Sequence, residues 1–117
     1  MFLIKNFTAP FRWIPENHDN VNLMQSVSSG TDYSEKKFEV GNWGIIFLDT
    51  SVKHQVSGRL GKIELKFLEE ALLDAEQSEV VQNVLICLHH NPINTQYGWS
   101  ENIGLQNHVE FLKIIKK

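Results

Sequence analysis

Residues 80–93 read VVQNVLICLHHNPI, an apolar run that stops abruptly at two imidazoles, an amide and a proline. The part before the histidines, VVQNVLICL, is rich in Val, Ile and Leu and too short for an ordinary helix, so it reads as a strand. A near-continuous apolar strand of this kind sits in the middle of a sheet with both faces covered. Working outward, Lys62 to Gln77 turns helical: Ile63, Phe67, Ala71 and Ala75 recur every four residues, with Leu68 and Leu72 beside them. Lys and Glu occupy the other face of that helix. Residues 36–50, KKFEVGNWGIIFLDT, read as a hairpin: Lys37 to Val40, a turn at Gly41-Asn42, then Trp43 to Asp49. Both turn residues are expected to supply the positive φ that tight hairpin turns require.

The remaining segments follow the same logic. Residues 51–61 are a polar, Gly-bearing loop, and a second loop runs from His89 to Gly104. A last helix is expected over Leu105 to Lys117, with Val109, Leu112 and Ile115 on one stripe, His108 and Phe111 nearby, and lysines that complement the dipole at its end. Near the start, FRWI at residues 11–14 predicts a short strand that stops at Pro15. Residues 20–29 suit a short helix and residues 30–35 a turn. Strands and helices interleave, so the fold class is α/β. About four strands and two or three helices is thin for a complete layered domain.

Composition narrows the possible functions. At 117 residues, residues 1–117 make a single small domain or a piece of a larger one. With 42% hydrophobic and 21% charged residues the chain is globular rather than disordered. A net charge of -3 and a pI near 5.9 leave no footprint for a nucleic acid polymer. No apolar run reaches the roughly 18 residues of a membrane-spanning helix, and MFLIKNFTAPFRW lacks the pattern of a signal peptide. The single Cys87 excludes an intrachain disulfide and fits a reducing cytoplasm. Set in an apolar run, it reads as an inert core thiol rather than a nucleophile.

Two clusters carry chemistry. PENHD at residues 15–19 follows the strand-like RWI, and HHNP at residues 89–92 follows the apolar strand. In open α/β sheets ligands collect beyond the carboxyl ends of strands, where both clusters fall. Neutral imidazole binds borderline transition metals, and an amide or carboxylate oxygen suits Mn or Fe, so Asn17 and His89 are candidates to share a metal. Asp19 is a candidate to fix the tautomer of His18 and raise its basicity, so that His18 can hold and deliver a proton. On composition alone the bland reading is favoured: Asn17 and Asp19 also suit a turn or a helix cap, and a loop histidine is commonly just solvated. A single-metal set of Glu16, Asn17 and His89 is disfavoured, because neighbouring side chains on an extended loop point apart. Trp43 reads as a packing residue, Trp99 as packing or a cover for a bound base, and His54 and His108 as surface residues. Ser26, Ser28 and Ser29 lack a nucleophile-elbow context.

Taken in order, PENHD, IIFLDT, GRLGKIELKFLEEAL and VLICLHHNPI resemble the middle of the calcineurin-like metallophosphoesterases, and specifically the bacterial class III 3′,5′-cyclic-nucleotide phosphodiesterases. The corresponding family run is Leu-Pro-Gly-Asn-His-Asp, a strand ending Leu-Asp-Ser/Thr, Gly-x-Leu before a helix, and Leu-His-His-x-Pro. The likeness covers about residues 11–115. It implies part of an αββα sandwich carrying two divalent metal ions of the Mn or Fe type, which activate a hydroxide for in-line attack on phosphorus. By resemblance, Asn17 and His89 look like ligands of the second metal. His18 looks like the acid that protonates the leaving oxygen and contacts the phosphate, and Asp19 like its orienting partner. His90 falls beside the substrate. The implied substrate is a 3′,5′-cyclic nucleotide, most simply cyclic AMP.

The sequence departs from the family in three places. Met1 stands only 16 residues before Asn17, which leaves no room for the family's Asp-x-His and Gly-Asp motifs, and no Gly-His-x-His follows before Lys117. Glu16 occupies the place of a family Gly. The expectation is therefore a phosphodiesterase segment truncated at both ends and inactive by itself. The alternative is a non-catalytic remnant of a truncated gene. In either case an uncovered sheet edge or face is expected to drive assembly into a homodimer or higher oligomer.

Overall fold

The computed structural model of the protein describes residues 11–93 and 103–116. Six elements occur among them: helix α1 (Val21–Ser28), strands β1 (Lys37–Val40) and β2 (Trp43–Phe47), helix α2 (Lys62–Gln77), strand β3 (Asn83–Cys87) and helix α3 (His108–Ile115). The strands form one mixed sheet in the order β1-β2-β3, with β1 antiparallel to β2 and β2 parallel to β3. The α/β class is therefore present, as a small domain built on a three-stranded sheet.

Local chemistry accounts for most boundaries. Asn20 caps α1: its side-chain oxygen accepts the Leu23 amide at 3.0 Å. The hairpin pairs Val40 with Trp43, leaving Gly41 and Asn42 as a two-residue turn. Only Gly41 has positive φ (58°), which corrects the expectation that both residues do. A glycine at the first central position suits a type II′ turn. Asn42 serves another purpose, its carbonyl accepting the amides of Gln82 at 2.8 Å and Asn83 at 3.1 Å, so the turn also seats the start of β3.

Strand β3 corrects a second expectation. Among the described residues it flanks the sheet, and β2 is the central strand. Its side chains alternate accordingly: Val84 and Ile86 pack against the core, while Leu85 is 48% exposed. The core gathers Ile46 and Leu48 from the end of β2, Leu68 and Ala71 from α2, Leu60, Leu105, and Phe111 from α3. Residues 11–14 form no strand. Trp13 makes one backbone bond to Tyr33 (2.8 Å), and side chains hold the rest: Phe11 stacks on Tyr33, and Arg12 lies over the Phe38 ring and pairs with Asp32 and Glu35. Pro15 has no amide with which to extend a ladder. Trp43, expected in packing, is 45% exposed at the start of β2. Trp99 lies outside the described residues.

The last helix starts at His108, later than the periodicity suggests, because Leu105 and Gln106 are engaged elsewhere. Gln106 donates its amide to the Gly58 carbonyl at 2.8 Å, and Gly58 forms a parallel bridge with Leu105. Next to them Asn107 is buried, accepting the Leu60 amide at 2.9 Å and donating to the Leu60 carbonyl at 2.8 Å. Asn107→Ala strands both backbone groups of Leu60 in the core. It is expected to lower unfolding stability by about 2–4 kcal/mol in urea titrations, since each unsatisfied buried group costs about 1–3 kcal/mol. A loss under about 1 kcal/mol would show that water reaches Leu60 in the variant.

Candidate functional site

Parallel β2 and β3 end side by side, Phe47 paired with Cys87, and the chain leaves the sheet there through Leu48-Asp49-Thr50 and Leu88-His89-His90. Residues 16–19 approach this edge from the other end of the sequence. The His89 Nε2 atom lies 3.2 Å from Asn17 Oδ1, a contact across 72 positions. A cavity of about 360 Å³ opens here, with Asn17, His18, His89 and His90 in its wall.

Residues 16–19 are a turn rather than an extended loop, and this redirects their side chains. The Asp19 amide bonds to the Glu16 carbonyl at 3.1 Å, and Asp19 Oδ2 accepts the Glu16 amide at 2.9 Å. Asp19, expected to orient His18, is engaged in building the turn. The carboxylate nearest the His18 ring is Glu16: Oε1 accepts the His18 amide at 2.9 Å and Oε2 lies 3.2 Å from His18 Nδ1. The Asn17 amide nitrogen stands 3.4 Å from His18 Nε2, so both ring nitrogens of His18 have neighbours within the turn. His18 remains the most open member of the set, its side chain 81% exposed. Glu16 Oε2 also lies 3.8 Å from His89 Nε2.

His90 differs from its neighbour. It is buried, with Nδ1 at 2.6 Å from the Thr50 hydroxyl and Nε2 at 2.9 Å from the Val56 carbonyl. A carbonyl only accepts, so Nε2 carries a hydrogen; in the neutral ring Nδ1 then accepts from Thr50. Both ring nitrogens of His90, expected to contact the substrate, are engaged within the protein. It acts as a strut that ties the 50–58 loop to the end of β3 and packs edge-on against His89, ring centroids 4.9 Å apart. Gly58 makes the strut possible, because a Cβ there would lie 2.3 Å from the His90 ring.

Cys87, one residue pair before this edge, is partly buried, and desolvation pushes its thiol above the ordinary value. It is protonated at neutral pH and no nucleophile. His54 is exposed, as expected, and His108 lies half-buried with Nδ1 donating to the Leu105 carbonyl at 3.2 Å.

The donor set can be compared with what a metal ion needs. Among the described residues no three His, Cys, Asp or Glu side chains are placed to hold one. That count omits amide oxygens, and Asn17 supplies one beside His89. Two donors each about 2.1 Å from a common ion stand roughly 3.0–3.4 Å apart when adjacent in octahedral or tetrahedral geometry. The His89–Asn17 separation of 3.2 Å falls within that range. One imidazole nitrogen with oxygen donors suits Mn-type or Fe-type ions.

The chain can be compared with known proteins on this footing. No family profile matches it. It is 35% identical over 99 residues to a 3′,5′-cyclic adenosine monophosphate phosphodiesterase of Pseudomonas aeruginosa, covering 85% of this chain and 35% of the relative. The Escherichia coli phosphodiesterase of the same name is 31% identical over 116 residues, 97% of this chain and 41% of the relative. A 3′,5′-cyclic-nucleotide phosphodiesterase of Nostoc is 34% identical over 107 residues, 90% of this chain and 38% of the relative. The chain therefore spans between about a third and two fifths of the length of these relatives.

Proposed function

We infer, from the chain's membership of the cyclic-nucleotide phosphodiesterases of the metallophosphoesterase type, that residues 15–19 and 89–90 are one half of a phosphodiester-hydrolysing centre. The substrate is a 3′,5′-cyclic nucleotide, with cyclic AMP favoured by the names of the relatives. The fold would complete itself as part of the family's layered sandwich, working in the cytoplasm, where a lone free thiol is stable. No described helix is long and apolar enough to cross a membrane.

The observation that carries this reading is the contact between Asn17 and His89 at the carboxyl edge of parallel strands. Asn17 Oδ1 and His89 Nε2 would hold one cation. When bound, a divalent ion there supplies Lewis-acid polarisation of a phosphoryl oxygen. His18, open to the cavity and held by the turn, delivers a proton to the departing ribose oxygen. Thr50 and His90 keep the floor of the site in place without touching the substrate.

Calorimetric titration with Mn²⁺ tests the assignment. The chain is expected to bind one ion, and His89→Ala to weaken binding by about tenfold or more. Equal affinity in the two proteins would overturn it. These 117 residues by themselves are expected to bind without turnover, since the donors brought together among the described residues serve one cation and in-line hydrolysis in two-metal sites uses a pair. Release of 5′-AMP from cyclic AMP that disappears in His18→Ala would contradict that expectation.

A further inference from the structure

We propose that Glu16 is a third ligand of the cation held by Asn17 and His89, making this chain's metal position a carboxylate–amide–imidazole site. The inference rests on the reading of Asn17 and His89 given above and adds to it a residue that the family pattern does not supply. Three observations carry it.

The first is convergence. Glu16 Oε2 lies 3.8 Å from His89 Nε2 and Asn17 Oδ1 lies 3.2 Å from the same nitrogen, so two oxygens of one turn approach one imidazole nitrogen of a distant segment. The longer separation exceeds the spacing of adjacent donors by a few tenths of an ångström, a gap that the half-exposed His89 side chain can close by moving toward the fixed carboxylate. The second is preorganisation. The Glu16 carboxylate is fastened to its own turn by the His18 amide on Oε1 and by His18 Nδ1 on Oε2, and Asp19 Oδ2 holds the Glu16 amide. An oxygen that accepts one hydrogen bond keeps a lone pair free, and here Oε2 stands between the two imidazoles. The third is charge. Asn17 and His89 are both neutral donors, and of the three described side chains that converge here Glu16 is the one that brings a formal negative charge to a divalent ion. A carboxylate is what turns a weak pair into the three-ligand minimum of catalytic metal sites.

The turn explains why the neighbouring positions 16 and 17 can serve one ion. On an extended chain their side chains would point apart. The Glu16–Asp19 turn breaks that alternation and aims both at His89. The preferred occupant is a divalent ion that accepts hard oxygen ligands, of the Mn²⁺ class.

The test is Mn²⁺ binding followed by calorimetry and by loss of the free-ion electron spin resonance signal. It uses the 117-residue chain, Glu16→Gln, His89→Ala and the control Glu35→Gln, whose carboxylate pairs with Arg12. Circular dichroism confirms that each variant is folded. Glu16→Gln is expected to raise the Mn²⁺ Kd by about tenfold or more, comparable with His89→Ala, while Glu35→Gln leaves it unchanged. Unchanged affinity in Glu16→Gln together with lost binding in His89→Ala would overturn the role of Glu16 and leave the Asn17–His89 site standing. Equal Mn²⁺ affinity in the parent chain and His89→Ala would overturn both.

Discussion

Gly58→Ala is expected to destabilise the protein by about 3 kcal/mol. A Cβ at position 58 would stand 2.3 Å from Cγ and Nδ1 of His90 and 2.7 Å from the Thr50 carbonyl oxygen. Neither neighbour yields easily. The Thr50 carbonyl accepts the Arg59 amide at 2.9 Å, and the buried His90 ring is bonded at both nitrogens. Moving the ring breaks its bond to the buried Thr50 hydroxyl, which then lacks a replacement, at about 1–3 kcal/mol. Moving residue 58 instead strains its bonds to Gly104 and Gln106, which join this loop to the start of α3. Alanine gains back only about 0.4–1 kcal/mol by restricting the unfolded chain. Gly61→Ala is the matched control, because nothing lies within 4 Å of a Cβ there. Urea unfolding should separate the two variants clearly; equal midpoints would mean that the His90 strut is soft. A second readout follows from position: His90 packs on His89, so Gly58→Ala should also weaken Mn²⁺ binding.

Leu68→Ala is expected to cost about 3–4 kcal/mol, whereas Ile63→Ala on the same helix should fall within about 0.5 kcal/mol of the parent. Leu68 is fully buried against Ile46, Leu48 and Phe111, while Ile63 is 85% exposed. The contrast separates two ways of reading α2. Periodicity puts Ile63, Phe67 and Ala71 on one stripe and Leu68 beside it. In the folded chain the buried stripe centres on Leu68 and Ala71, with Leu65, Phe67 and Leu72 packed around them. Ile63 lies in the first turn, where Glu64 is the residue anchored inward: it pairs with Lys36 and accepts the Asp49 amide at 3.0 Å. A loss from Ile63→Ala as large as that from Leu68→Ala would show that this face is covered in solution.

These cases show which features were legible before folding. The bounds of α2 and the pairing of the hairpin follow from local patterns, a helical period over 16 residues and a glycine-bearing turn between apolar runs. The His89-His90 cluster was legible too, as polar residues that follow the apolar strand β3. The direction of side chains was not. An extended loop would point Glu16 and Asn17 apart, whereas residues 16–19 form a turn that brings both near His89. Its signals were in view, with Pro15 before it and Asn17 and Asp19 within it. The roles of Thr50, Gly58 and Asn107 left no trace in sequence, because each depends on a partner about 40 or more positions away or on a close approach of backbone to ring.

Sequence by itself determined the elements and the kinds of atom available for chemistry, because helical period, turn propensity and ligand type are properties of a few neighbouring residues. Tertiary structure alone decided that positions 16, 17 and 89 meet, that His90 is a strut while His89 faces the cavity, and that β3 flanks the sheet. Those outcomes depend on how the parallel pairing of β2 with β3 brings distant loops to one edge. No local preference encodes that distance.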